Sequence, residues 1–336
     1  MNALHITNGD SAAEIIQRTG IPGSVLPWRD ILHDGPVPAG LETAALAEVR
    51  ADFLSAFAGM DRASVLEGIR SRDEICQSWA DFDAVVIWLE HDLYDQLQLI
   101  QMLDSFGREP LPTDFLSMIC IDRFPGVEPF YGLGQLTVEQ MATLWPERNP
   151  VSAEQIALAT KAWAAFRSPT PEALFKLTQG DTGALPFLSD ALIRHLEEFP
   201  DARTGLSRHE RQILRMVQTG TERPGPLFAE HQLLEQAPYF GDWSFWELLA
   251  SLINTDRPLL SLVDGAEFVY PPGVEPNEAF RTQRLKLTAL GDAVLKGEAD
   301  WVEIKPMDVW KGGVHLSHAT GIWRWDAEQQ TIVAPS

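Results

Sequence analysis

The stretch Asp83–Leu103 constrains this chain more than any other. Ala84-Val-Val-Ile-Trp-Leu89 is an apolar, β-branched run of the kind that forms a strand buried on both faces. The pattern then changes period, and Leu93, Leu97, Ile100 and Leu103 fall on one arc of a helix. Between strand and helix lie Glu90, His91 and Asp92, with Asp95 and Gln96 following closely. The carboxyl end of a buried strand is where an open α/β sheet receives its ligands. A strand–helix unit with this junction predicts a site there without naming its ligand.

The same pattern recurs along the first third of the chain. Leu4–Thr7 reads as a strand that runs into Asn8-Gly9-Asp10-Ser11. Ser11 and Glu14 have the spacing of a capping box, which predicts a helix start at Ser11. Neither G-x-G-x-x-G nor a Walker pattern is present. A helix N-terminus still receives anions, although Asp10 opposes one unless a metal ion intervenes. A second strand, Ser24–Trp28, leads into Arg29, Asp30, His33 and Asp34, for which an Arg29–Asp30 or Arg29–Asp34 ion pair is the plain structural reading. Residues 41–79 read as amphipathic helix broken near Gly59, and Leu116–Asp122 as a fourth strand ending at Arg123. Strands separated by helices predict a Rossmann-like parallel sheet with right-handed crossovers. Asp10, Arg29, Asp30, His33, Glu90, His91, Asp92 and Asp122 would then meet along one edge. The bland counterpart makes Asp92 a helix N-cap and Glu90 with His91 a hydrogen-bonded loop pair.

The expected organisation is an α/β domain over 1–125, a helical connector over 126–205, and a winged-helix-like α+β domain over 206–336 with a terminal β-hairpin. The last rests on helices at 207–218, 229–236 and 243–254, a second capping box (Ser207 with Glu210), and a hairpin of 259–263 with 266–270. Asp242–Asn254, in the place of a recognition helix, carries no Lys or Arg. Phosphate contact and base reading depend on those residues, so this helix suits a packing or homodimer surface instead. Gly312-Gly313 beside His315 reads as a packing segment, with ligand approach as the alternative.

Charge points the same way. The 336 residues carry a formal net charge of −22, and Lys is absent before Lys161. Nucleic acid and anionic membranes would be repelled. Cys76 and Cys120 form no C-x-x-C pair and fit a reducing compartment. With no signal peptide and no apolar run of membrane-spanning length, the expected location is cytoplasmic.

The segments His5-Ile-Thr-Asn-Gly-Asp10-Ser11, Trp28-Arg29-Asp30-Ile-Leu-His33-Asp-Gly35-Pro36 and Trp88-Leu-Glu90-His91-Asp92-Leu-Tyr-Asp95-Gln96 resemble the motifs of a bacterial family catalogued as domain of unknown function 1835. Leu206-Ser207-Arg208, Glu210-Arg211-Gln212 and Leu287-Thr288 with Gly291 are similar to the C-terminal part that accompanies that domain. The resemblance implies this domain arrangement and brings no activity with it.

The leading functional expectation is an enzyme binding a small molecule at the sheet edge. It would carry out hydrolysis or group transfer on a nucleotide-like or phosphorylated substrate, a choice made by analogy from the fold. His91 or His33 would serve as acid/base, since imidazole titrates near working pH, with Glu90 or Asp92 orienting it. Asn8, Asp10, Ser11, Asp30, Asp95 and Gln96 would bind substrate, and Arg29 would hold an anionic group. A divalent cation on Asp10, Asp92 and Asp95 ranks below metal-free chemistry. The alternatives are a ligand-sensing regulator acting through the winged-helix-like part, and a scaffold whose charged strand ends are only salt-bridged loops.

Overall fold

The computed structural model describes residues 2–270 and 278–335. They divide into two compact units, Met1–Ile193 with Trp310–His315, and Arg194–Val309 with Leu316–Ser336.

The first unit is built on a mostly parallel sheet. The strands of this unit include β1 (Ala3–Thr7), β2 (Ser24–Pro27), β3 (Gly35–Pro36), β4 (Ala84–Glu90), β5 (Leu116–Ile121) and β6 (Asn149–Pro150). Its helices are α1 (Asp10–Arg18), α2 (Thr43–Ala58), α3 (Arg62–Gln77), α4 (Leu93–Phe106), α5 (Val138–Leu144), α6 (Ala153–Phe166), α7 (Glu172–Thr178) and, beginning in this unit, α8 (Leu188–Leu196). The sheet order is β2-β1-β4-β5-β6, with β2, β1, β4 and β5 parallel and β6 antiparallel. β4 is the central strand, and Val85, Val86, Ile87, Trp88 and Leu89 are all buried. A run apolar at every position is what burial on both faces requires. Ala12 and Ile16 of α1 pack with Val86, Trp88, Ile119, Leu133 and Met141 on one face. His5 is part of this core. Trp88 Nε1 donates to its Nδ1 at 3.1 Å, so Nε2 carries the proton and faces the Pro22 carbonyl at 3.3 Å.

Two local expectations change here. α1 begins at Asp10 behind an extended Gly9 with no side-chain cap, so Ser11 is inside the first turn and caps nothing. Arg29 pairs with neither Asp30 nor Asp34. Its Nη2 lies 2.5 Å from Asp10 Oδ1 and its Nε 3.0 Å from both Asp10 oxygens. The Gly312-Gly313 segment is packed rather than open, because a Cβ on Gly313 would fall 1.9 Å from the Arg167 carbonyl.

The second unit contains α9 (Arg208–Gln218), α10 (Pro224–Leu233) and α11 (Asp242–Ile253), then β7 (Leu260–Leu262) and β8 (Leu285–Leu287). Ser207 caps α9 in the expected box with Glu210. The expected partner strand 266–270 is not one. β7 pairs antiparallel with β8, while Phe268 is held by Asn254, whose Nδ2 donates to its carbonyl at 3.1 Å and whose Oδ1 accepts its N–H at 3.3 Å. Burying the Phe268 ring in the core outweighs strand pairing at this point. Among the described residues no helix is long and apolar enough to cross a membrane.

Candidate functional site

β1 has β2 on one side and β4 on the other, so the chain reverses direction across the sheet at β1. Such a reversal opens a crevice between the carboxyl ends of the two strands. Asn8 follows β1, Glu90 ends β4, and Asp95 lies in the first turn of α4. Asn8 Nδ2 donates to Glu90 Oε2 at 3.2 Å and to Asp95 Oδ2 at 3.0 Å. Asp95 Oδ1 accepts the Glu90 backbone N–H at 2.9 Å. Asp92 caps α4 as the plain reading expected, accepting the Asp95 N–H at 2.9 Å. Gln96 Nε2 donates to the Glu90 carbonyl at 2.7 Å, as does the Cys120 thiol at 3.4 Å.

The opposite wall comes from the turn at 130–135. The Leu133 N–H donates to Glu90 Oε1. Gly132 sits at φ +154°, and a Cβ there would lie 2.7 Å from the Glu90 Cδ and from both its oxygens. A Cβ on Gly134 would lie 2.7 Å from Ser11 Oγ. These glycines let the turn close onto the strand ends. The result is a cleft of about 280 Å³ lined by residues 8–12, Glu90, Tyr94, Tyr131, Gly132, Gly134 and Gln135. The backbone amides of Asp10, Ser11 and Ala12 precede the first helical bond, from Ala13 to Gly9 at 3.2 Å, and so are the donors a helix start leaves without intrahelical partners.

Glu90, Asp92 and Asp95 are no more than 5% exposed. Among the described residues their hydrogen-bond donors carry no charge: Asn8, backbone amides, and the Asp92 carboxyl, which shares a side-chain hydrogen bond with Asp95. Burial therefore drives all three carboxyls toward their protonated forms, and the Asp95 charge adds to this for Glu90 and Asp92. Asp95 itself is pushed up to about 6 by burial, against the hydrogen bonds from Asn8 and Glu90. Carboxyls this close titrate as a group rather than one at a time. One oxygen from each also lies within 4.8 Å of the others, an all-oxygen set that suits a hard divalent cation.

The other expected site residues divide between the cleft and other places. Asp10 and Ser11 line the cleft, and Arg29 reaches it through Asp10. Asp30 turns inward. At 1% exposure it pairs with the equally buried Arg50 at 2.7 Å, and its carbonyl accepts Gln98 Nε2 at 3.0 Å. His33 is buried beside Asp34 at 3.6 Å and meets the Tyr94 ring edge-on, with burial pushing its imidazole down to about 4. The His91 ring packs edge-on to Phe187 at 5.9 Å, outside the cleft lining. Asp122 pairs at the surface with Arg123. Tyr94, whose hydroxyl donates to the Asn8 carbonyl at 3.1 Å, was not singled out from sequence, nor were Tyr131 and Gln135. The Phe130-Tyr-Gly-Leu-Gly134 run was the available signal, but it is 40 residues past Glu90 in the chain.

A second titratable cluster lies in the second unit. His209 Nδ1 is 2.8 Å from His231 Nε2, and Glu235 completes a set within 4.8 Å. Arg194 already supplies the cation, donating to Glu235 at 2.7 Å and to Glu198 at 2.6 Å. This cluster is a buried ion-pair network.

No protein-family model matches the chain, and no curated protein matches it.

Proposed function

We propose that the first unit is a small-molecule enzyme catalysing hydrolysis or group transfer on a phosphorylated or nucleotide-like substrate, with Glu90 and Asp95 as its acid/base pair. The observation that carries this reading is Glu90 on the wall of a cleft beside the α1 amides, joined through Asn8 to the buried Asp95 behind it. A carboxyl kept partly protonated near neutral pH gives and takes a proton at working pH. The α1 amides would receive the anionic group, and Arg29 neutralises Asp10, which would otherwise repel it. Asn8 then orients the two carboxylates rather than the substrate. Metal-free chemistry remains the first choice, with a divalent cation on Glu90, Asp92 and Asp95 as the variant to test.

In this reading the first unit is Rossmann-like and belongs with the domain of unknown function 1835, since Asn8, Glu90 and Asp95 all come from the motif segments. The second unit is winged-helix-like, supported by three helices followed by the β7–β8 pair. Its α11 has no cationic side chain, which favours a protein surface, such as a second copy, over nucleic acid. A cytoplasmic location fits both.

The test is a thermal-shift screen against phosphate monoesters, nucleotides and divalent metals, with turnover assayed on every hit in wild type and Glu90→Gln. The expected result is a ligand that stabilises both proteins and is turned over only by wild type. A flat panel, or turnover that survives the substitution, overturns the assignment.

A further inference from the structure

A second cavity, of about 230 Å³, lies in the first unit outside the cleft just described. It is bounded by Gln96 and Leu99 of α4, Met118 of β5, Asn149 of β6, and Leu185 and Phe187 of the segment before α8. Met118 and Cys120, which line it, alternate along β5 with Ile119, which packs in the α1-side core, so the cavity is on the other face of the sheet. Interiors pack at crystal-like density, and voids larger than a water are few. This one opens to solvent past the exposed Asn149, which gives a small molecule a way in.

The lining says what kind. Leu99, Met118, Leu185 and Phe187 give apolar walls, suited to a flat hydrophobic ring. Of the polar lining groups, Gln155 already accepts from the Ser152 N–H at 2.8 Å and donates to the Ala184 carbonyl at 3.1 Å, and the Cys120 thiol donates to the Glu90 carbonyl, which leaves the amide oxygens of Gln96 and Asn149. Gln96 is 1% exposed and spends its Nε2 on the Glu90 carbonyl and the Cys120 sulfur, which fixes the orientation of its amide. Its Oε1 accepts no hydrogen bond among the described residues. Asn149, at the exposed mouth, spends its Nδ2 on the Glu147 carbonyl at 3.1 Å, and its Oδ1 is likewise left over among them. Neither oxygen is sealed from water, so a ligand N–H can take the place of water on each.

We infer that this cavity binds a neutral, flat heterocycle carrying N–H donors, of the aminopurine or aminopyrimidine class, with its donors on Gln96 Oε1 and Asn149 Oδ1. The apolar walls take the ring faces. Among the described residues neither a cation nor a carboxylate lines the cavity, so the ligand is uncharged. Gln96 also joins this site to the acid/base pair, because the same side chain that would meet the ligand holds the Glu90 carbonyl. The inference stands apart from the proposed reaction and holds or fails without it.

The probes are adenine and unsubstituted purine, which lacks the exocyclic amino group, titrated calorimetrically into the full-length protein. The variants are Met118→Trp, which fills the space, and Asn149→Leu, an exposed change that leaves the sheet intact, with folding checked by circular dichroism. Saturable adenine binding, abolished in Met118→Trp and weakened about tenfold both for purine and in Asn149→Leu, is the expected result. Absence of saturable adenine binding overturns the inference, as does binding that is indifferent to both substitutions. Equal affinity for purine and adenine overturns the acceptor assignment and with it the ligand class. Because the titration reads binding alone, its result is independent of Glu90-dependent turnover.

Discussion

Asp95 accepts the backbone N–H of Glu90 at 2.9 Å, so a carboxylate from the first turn of α4 holds the last residue of β4. That bond carries Asp95 back over the strand end. Its second oxygen then meets Asn8, the residue that follows the neighbouring strand, at 3.0 Å. Two strand ends and a helix start are thereby fixed to one another through a single buried carboxyl, and Glu90 is left facing the cleft. The cost is electrostatic, since the three carboxyls have only neutral donors among the described residues to offset their desolvation.

That cost has a pH signature. A carboxyl whose folded pKa is raised contributes stability below its unfolded pKa and loses that contribution as pH rises through the folded value. Asp92 is raised well above 3.8, and its neighbour Asp95 reaches about 6. Asp92→Asn copies the protonated carboxyl and escapes the loss. Its melting temperature relative to wild type should therefore climb between about pH 4 and pH 7. His33 and His231, each pushed down to about 4 by burial, act oppositely over the same window. The variant-minus-wild-type difference cancels them and is the quantity to measure. A difference that stays constant with pH would show that Asp92 is not held toward its protonated form.

Gly132→Ala should cost more than backbone strain alone. Gly126 provides the control, at φ +80° with nothing within 4 Å of a built Cβ. Gly126→Ala is expected to lose about 1 kcal/mol and keep the ligand response. Gly132→Ala must also push Glu90 aside, so it should lose more stability and the ligand response with it. Urea melts with and without the hit ligand compare the two, and equal behaviour would mean the turn at 130–135 is no part of the site.

The Arg29–Asp10 pair is expected to matter for ligand and hardly for folding. Both side chains are more than 60% exposed, and exposed pairs contribute about 0–1 kcal/mol. Arg29→Ala should leave the urea midpoint nearly unchanged. It should weaken an anionic ligand, most at low salt, because Asp10 is then unopposed at the cleft mouth. An affinity insensitive to the change would place the anionic group elsewhere.

Asp30 should behave in the opposite manner. Removing it strands Arg50, which is 1% exposed, without its charge partner. Breaking such a buried pair costs about 3–5 kcal/mol. Asp30→Ala is predicted to unfold at much lower urea, and a midpoint near wild type would show that Arg50 is held by the backbone carbonyls of Ile31, Asp34 and Pro36 alone.

Much of the fold is legible in local pattern. The apolar run of β4, the arc of α4 and the break at Gly59 each follow from short-range periodicity or backbone chemistry, and each element is where that chemistry puts it. The Asp92 cap and the Ser207–Glu210 box are legible for the same reason, because a cap is decided within four residues. Ser11 shows the limit. Its spacing to Glu14 fits a box, yet an extended Gly9 starts the helix one residue earlier and turns Ser11 to the cleft.

The sequence by itself determined that strand ends dense in polar groups would lie along one edge of a parallel sheet, since alternating strands and helices permit little else. It could not decide which of those groups face one another. Asp30 and Glu90 are both acidic residues at strand ends, but Asp30 finds Arg50 twenty residues on and becomes part of the core, whereas Glu90 finds Asn8, Asp95 and the Leu133 amide and becomes part of a cleft. The difference lies in which long-range neighbours arrive. A carboxylate meeting a buried guanidinium is neutralised, and one meeting only neutral donors and other carboxyls is left chemically poised. That choice is made by the sheet order β2-β1-β4, which brings Asn8 to Glu90 across 82 residues of chain.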